Sequence, residues 1–216
     1  MATAVTLLLV FLAAEGTAAP VKPAAGVFLV AKPSIDGGPF WQSVVLLLQH
    51  DENGTLGLIV NRATDVPLSE ALPDLEREET KLPLHFGGPV ALDGLLFLFV
   101  ADEPPDGVAH VMGSVYFSGD RKILDRLLKE SKRRPGLKVF LGHSGWAPGQ
   151  LLSEIARGSW ELVRADAQTV FEKDPEKMWK DLSHSGTVVA GAQGAEAEPS
   201  ASTSAKTSSA VHSLPR

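Results

Sequence analysis

The tetrapeptide Gly142-His143-Ser144-Gly145 sets a serine hydroxyl between a histidine and a glycine, directly before Trp146. On a strand-to-helix turn, that order suits a hydrolase nucleophile, with His184 and Asp166 or Asp174 available as further triad members. Two features oppose the reading. A nucleophile elbow needs glycine two residues after the serine, and Trp146 stands there. The following helix also starts several residues downstream, so its dipole would not sit behind the oxygen. The competing role is a tight glycine turn that lets Trp146 fold onto the core.

Asn61-Arg62 closes an apolar run. Polar residues at strand ends line ligand clefts, and a guanidinium can fork onto a carboxylate or phosphate. The alternative for Arg62 is a structural ion pair with Glu154 or Asp166, and this is the favoured role. Gly87-Gly88-Pro89 can bring backbone amides toward an anion, or simply make a tight turn. The histidines, at 50, 85, 110, 143, 184 and 212, never recur at three- or four-residue spacing, and there is no cysteine. No metal site and no cofactor are therefore expected, and disulfides and thiolate chemistry are excluded. His50, beside Asp51 and Glu52, reads as a solvated hairpin end. Residues 119–134 carry Arg121, Lys122, Arg126, Lys129, Lys132, Arg133 and Arg134 against Asp120, Asp125 and Glu130. That is either a patch for phosphates or the solvated back of an amphipathic helix, with cations near its negative end; the second is favoured.

The elements that must position these groups follow from pattern. Strands are expected at 27–31, 43–49, 55–61, 84–86, 95–100, 108–117, 137–141 and 160–164. The continuous apolar run 43–49 implies a strand buried on both faces. Asn53-Gly54 predicts a hairpin, because both residues tolerate positive φ, and this explains the residues better than a glycosylation acceptor at Asn53-Gly54-Thr55. Helices are expected at 67–73, at 119–133 with Ile123, Leu124, Leu127 and Leu128 on one face, from Pro148 to Ala156, and at 174–182 capped by Asp174. Gly142–Trp146 reads as a loop, and Glu76, Glu78 and Glu79 as part of an acidic connector.

The whole chain has 216 residues, 44% hydrophobic and 21% charged, with a net charge of −6. That suits one globular domain and argues against a general nucleic-acid binder. Residues 1–19 hold an uncharged apolar run followed by small residues, the length of a signal-peptide core, although no Lys or Arg precedes it. A cleaved leader implies a periplasmic or secreted protein; an N-terminal extension leaves it cytoplasmic. Residues 20–25 read as a linker, 26–183 as the domain, and 184–216 as a disordered tail too poor in apolar anchors to fold.

Five segments, in order, resemble the YqgE/AlgH family: Phe28 through Ser34; Phe40 through His50; Gly57 through Arg62; Gly87 through Val90; and Gly145 through Leu151 with Glu154 and Trp160. Asp166, Phe171 and Trp179 fit its C-terminal part. The resemblance implies an α/β (α+β) fold: a single compact domain with a mixed, strongly curved β-sheet flanked by helices. It implies no established activity and no cofactor. Members usually have an aromatic at the His143 position and alanine at the Ser144 position, and commonly start near the first strand. The expected function is non-enzymatic binding or regulation, through a cleft of Asn61, Arg62, Gly87, Gly88, Gly145 and Trp146 that takes a small anionic ligand or a protein partner. The alternatives are a hydrolase using Ser144 and a transcriptional regulator using the basic helix.

Overall fold

The computed structural model describes residues 20–74, 82–130 and 136–184. The apolar leader, Glu76, Glu78, Glu79, the end of the basic run at Lys132–Arg134 and the tail lie outside the described residues. The strands are β1 (Val27–Ala31), β2 (Val44–Asp51), β3 (Gly54–Ile59), β4 (Ala63–Pro67), β5 (Pro83–Phe86), β6 (Val90–Val100), β7 (Ala109–Met112), β8 (Val115–Ser118), β9 (Leu137–Trp146) and β10 (Trp160–Arg164). The helices are α1 (Leu68–Ala71), α2 (Arg121–Glu130), α3 (Gln150–Ala156), α4 (Ala167–Glu172) and α5 (Pro175–His184).

One sheet carries the fold, in the order β10-β1-β2-β3-β9-β6-β8-β7, with β5 beside β9 and β4 beside β5. The β5–β9 pair is parallel and the other pairs are antiparallel, so the sheet is mixed. It curls without closing. β7, at one end of the order, returns close enough to β1 that a Cβ at Gly26 would lie 2.9 Å from Met112 Cβ.

The β1–β2–β3 meander is buried on both faces, as the continuous apolar run of β2 requires. Phe28, Leu46 and Leu58 pack one way with Phe140, Leu98 and Met178. Leu29, Leu47 and Ile59 pack the other way with Trp146, Leu151 and Trp160. A third cluster lies under α2, where Ile123, Leu124, Leu127 and Leu128 are all buried. Each of those four side chains contributes about 1.5–3 kcal/mol by leaving water, which is what holds the basic helix to the sheet.

Several local expectations change. The hairpin turn residues are Glu52 and Asn53, with Asp51 paired to Gly54. Only Gly54 takes positive φ (137°), and Asn53 is held instead by its N–H donating to the Asp51 carboxylate at 2.8 Å. The 67–73 helix shrinks to α1, because Pro67 ends β4. The 108–117 strand is a hairpin broken at Gly113. Pro148 does not open α3; Gly149, at φ 75°, stands at its N-cap. Asp174 caps α5 as expected, its carboxylate accepting the Glu176 N–H at 3.0 Å, and Asp166 caps the unforeseen α4.

Candidate functional site

The largest correction concerns Gly142–Trp146, which is not a loop. It continues β9, and residues 144–146 pair with Thr55–Gly57 of β3. β9 is flanked on that edge first by β5 and then by β3, and Gly87 sits where one replaces the other. Its N–H donates to Leu141 O at 2.8 Å, and its carbonyl accepts the Ile59 N–H at 2.9 Å. A Cβ on Gly87 would lie 2.4 Å from Gly142 O, and one on Gly88 2.4 Å from the His143 carbonyl. Both glycines are therefore required for close backbone packing, and the Gly87 amide is already spent on Leu141 O. Ser144 is fully buried at this junction and donates its hydroxyl to Gly87 O at 3.1 Å. The strand–turn–helix setting of a nucleophile elbow is absent, and the hydroxyl faces the sheet interior.

Asn61 follows β3 and turns inward. Its Oδ1 accepts the Val44 N–H at 2.8 Å and its Nδ2 donates to Gln42 O at 3.0 Å. Those two bonds hold the loop before β2, in which Gln42 takes φ 50°, a conformation that costs a non-glycine residue on the order of 1 kcal/mol. Arg62 is half-buried and donates from Nη2 to Trp41 O. The expected ion pair with Glu154 or Asp166 does not form: Glu154 is held by other donors and Asp166 caps α4. Burial pulls the guanidinium's pKa down, and no described carboxylate pairs with it. Trp41, on the loop that Asn61 and Arg62 secure, is 48% exposed.

Trp146 is 5% exposed and belongs to an aromatic cage. Phe40 stacks on it at 5.9 Å, and Trp160 meets it edge-on at 6.1 Å. Both indole N–H groups donate to Glu154 Oε2 at 2.9 Å, and Gln150 Nε2 donates to Oε1 at 3.0 Å. Burial acts to raise the Glu154 pKa, but the hydrogen bonds from Trp160, Trp146 and Gln150 together outweigh it and hold the carboxyl below its ordinary value. Gly145 is exposed beside this cage.

A chain of contacts joins the expected site residues. Trp41 O meets Arg62, Arg62 O accepts the Phe86 N–H at 2.9 Å, Gly87 O meets Ser144, and His143 pairs with Val90. They share one region, but as a buried joint rather than an open cleft. Of the six, Asn61, Gly87, Gly88 and Trp146 are buried, leaving Arg62 and Gly145 reachable. Glu154 and Gln42 are the residues the expected cleft omitted. Glu154 sat visibly between two tryptophans, eight residues after one and six before the other, whereas nothing local marks Gln42. Among the described residues no group of three or more His, Asp or Glu is placed to hold a metal, and no helix is long and apolar enough to cross a membrane.

The profile of the AlgH-like family matches residues 28–188. The chain belongs to that family. A UPF0301 protein of Chlorobium phaeobacteroides is 33% identical over 159 residues, covering 73% of this chain and 84% of its own length. Another, from Chlamydia trachomatis, is 34% identical over 164 residues, covering 74% and 86%. Among solved structures, the AlgH protein of Pseudomonas aeruginosa superposes with a TM-score of 0.64 at 27% identity, covering 74% of this chain and 86% of its own. A protein of Corynebacterium diphtheriae gives 0.62 at 26%, covering 76% and 87%. The AlgH-like family has no established biochemical activity, so these likenesses carry the fold and the ancestry. Replacing Ser144 by alanine would remove one hydroxyl from the sheet junction and no backbone bond.

Proposed function

We propose that this AlgH-like protein is a non-enzymatic binding protein that takes an anionic group, carboxylate or phosphate, on Arg62 beside Trp41. The single observation behind this is Arg62 itself. It is a half-buried guanidinium tied by one donor to a backbone carbonyl, with no acidic partner among the described residues. Its remaining planar N–H groups suit two acceptor oxygens of one ligand, and partial burial strengthens such a bond over its worth in water. Trp41, whose backbone carbonyl Arg62 holds, is exposed on a loop that Asn61 keeps in a strained shape. The groups with catalytic potential are committed elsewhere, Ser144 to Gly87 and Glu154 to two tryptophans. A DNA-bound regulator acting through α2 has less support, since Arg121 is already paired with Asp74 and Asp125.

The test is calorimetric titration of wild type and Arg62→Lys with inorganic phosphate and with acetate, alongside their melting temperatures. Lysine keeps the charge and loses the fork. Weaker binding by a variant that melts near wild type supports the reading. Equal binding by both proteins, or a wild type that binds neither probe, contradicts it.

A further inference from the structure

A second region has ligand-site geometry and shares no residue with the Arg62 site. A cavity of about 390 Å³ opens between the C-terminal end of α1, β6 and the start of α2. That volume lies within the range of small-molecule sites. Leu72, Phe97 and Leu124 are buried in its wall, and Leu95 and Leu141 are half-buried beside them, so the floor is aliphatic and aromatic. Asp93 and Arg121 are its charged lining residues, and both reach solvent.

The charge at the mouth decides the occupant. Arg121 is held from both sides, its Nε by Asp125 at 2.5 Å and its Nη2 by Asp74 at 2.9 Å. One guanidinium therefore faces two carboxylates, and Asp93 adds a third that has no ion-pair partner among the described residues. The positive end of the α2 dipole is met by Asp120, which accepts the Lys122 N–H at 2.8 Å. An anionic ligand would find Arg121 already shared by two carboxylates, and would bring its own negative charge beside Asp93 as well. A cation meets Asp93 at no such cost.

We propose that this cavity binds a small cationic amphiphile, with its apolar body on Leu72, Phe97 and Leu124 and its ammonium group at Asp93. The probes are 4-phenylbutylamine, 4-phenylbutanol and 4-phenylbutyrate, which share a body and differ in head charge. Leucine methyl resonances of the intact protein report each titration. The amine should bind tightest and the carboxylate weakest, with shifts concentrated on Leu72, Leu95, Leu124 and Leu141. Asp93→Asn should lower amine affinity about two- to five-fold, the range for one exposed charge pair, and leave the alcohol unchanged. Ala71→Leu, which narrows the cavity, should weaken all three. High salt should shrink the amine's advantage. Equal affinity for the three heads, a carboxylate preference, or saturable shifts confined to other methyl groups would overturn the assignment. An Asp93→Asn variant that folds as wild type yet binds the amine unchanged would do so as well. Arg62→Lys should leave these titrations unaltered, which keeps the outcome separate from that of the anion site.

Discussion

Acidification should weaken this fold before its carboxylates begin to protonate, and His85 is the reason. Its ring is 5% exposed, lies 5.2 Å from the Phe140 ring, and has an Nδ1 without a hydrogen-bond partner among the described residues. Burial, aided by the nearby Lys138 charge, pushes its pKa down from 6.5 to about 4. The folded state therefore prefers neutral His85. Its stabilising contribution is complete above the unfolded value of 6.5 and is lost as the pH falls toward 4. The full shift is equivalent to about 3 kcal/mol, of which about 2 kcal/mol is gone by pH 5. At a typical urea dependence, the unfolding midpoint should drop by about 1 M between pH 8 and pH 5. His85→Phe keeps a ring against Phe140 and removes both the proton site and the orphaned nitrogen. Its midpoint should change much less over the same interval. Urea denaturation of both proteins across that range is the assay. An equal pH dependence in wild type and His85→Phe would refute the reasoning.

Three further outcomes are expected, two of them at the joint around β9. Trp146→Ala removes an aromatic at the centre of the Phe40–Trp160–Glu154 cage and should cost about 3–5 kcal/mol, lowering the melting temperature by on the order of 10 °C. A midpoint within about a degree of wild type would contradict that placement. Ser144→Ala should cost only about 1 kcal/mol, because Gly87 O keeps the Ile59 N–H, and ligand binding should persist; a collapse of function with the fold intact would restore the nucleophile reading. We also propose that residues 1–19 are a cleaved leader, so that N-terminal sequencing of the mature native protein should read a start near Pro20; a soluble cytoplasmic form starting at Met1 or Ala2 would contradict this.

What the sequence discloses here depends on the range of the interaction. β1 and β10 were legible to the residue, because apolar content, the nearby Pro33 and Gly158 are local facts. The α2 face and the Asp174 cap were equally legible, since helical spacing and capping lie within a few residues. Gly142–Trp146 was misread because glycine marks loops on average. Here Gly142 takes φ 65° inside a strand, where a Cβ would lie 2.5 Å from Gly88 O. That demand comes from a segment more than fifty residues away. Asn61 is the same case: its partners, Gln42 and Val44, are 19 and 17 residues distant, so a polar strand end that looked ready for a ligand turned out to be satisfied by the preceding loop. α4 escaped notice because a six-residue helix, less than two turns, has little periodicity to show.

The central claim is that Arg62 is the one expected site residue whose charge is left for a ligand. Nitrogen-edited NMR of the Arg62 Nε–H and the Trp41 indole N–H, followed through a titration with inorganic phosphate, tests it most directly. Both resonances should shift saturably and together, and in Arg62→Lys the Trp41 shift should need more phosphate to saturate. Static resonances at these two groups while the protein saturates elsewhere, or no saturable shift at all, would contradict the account.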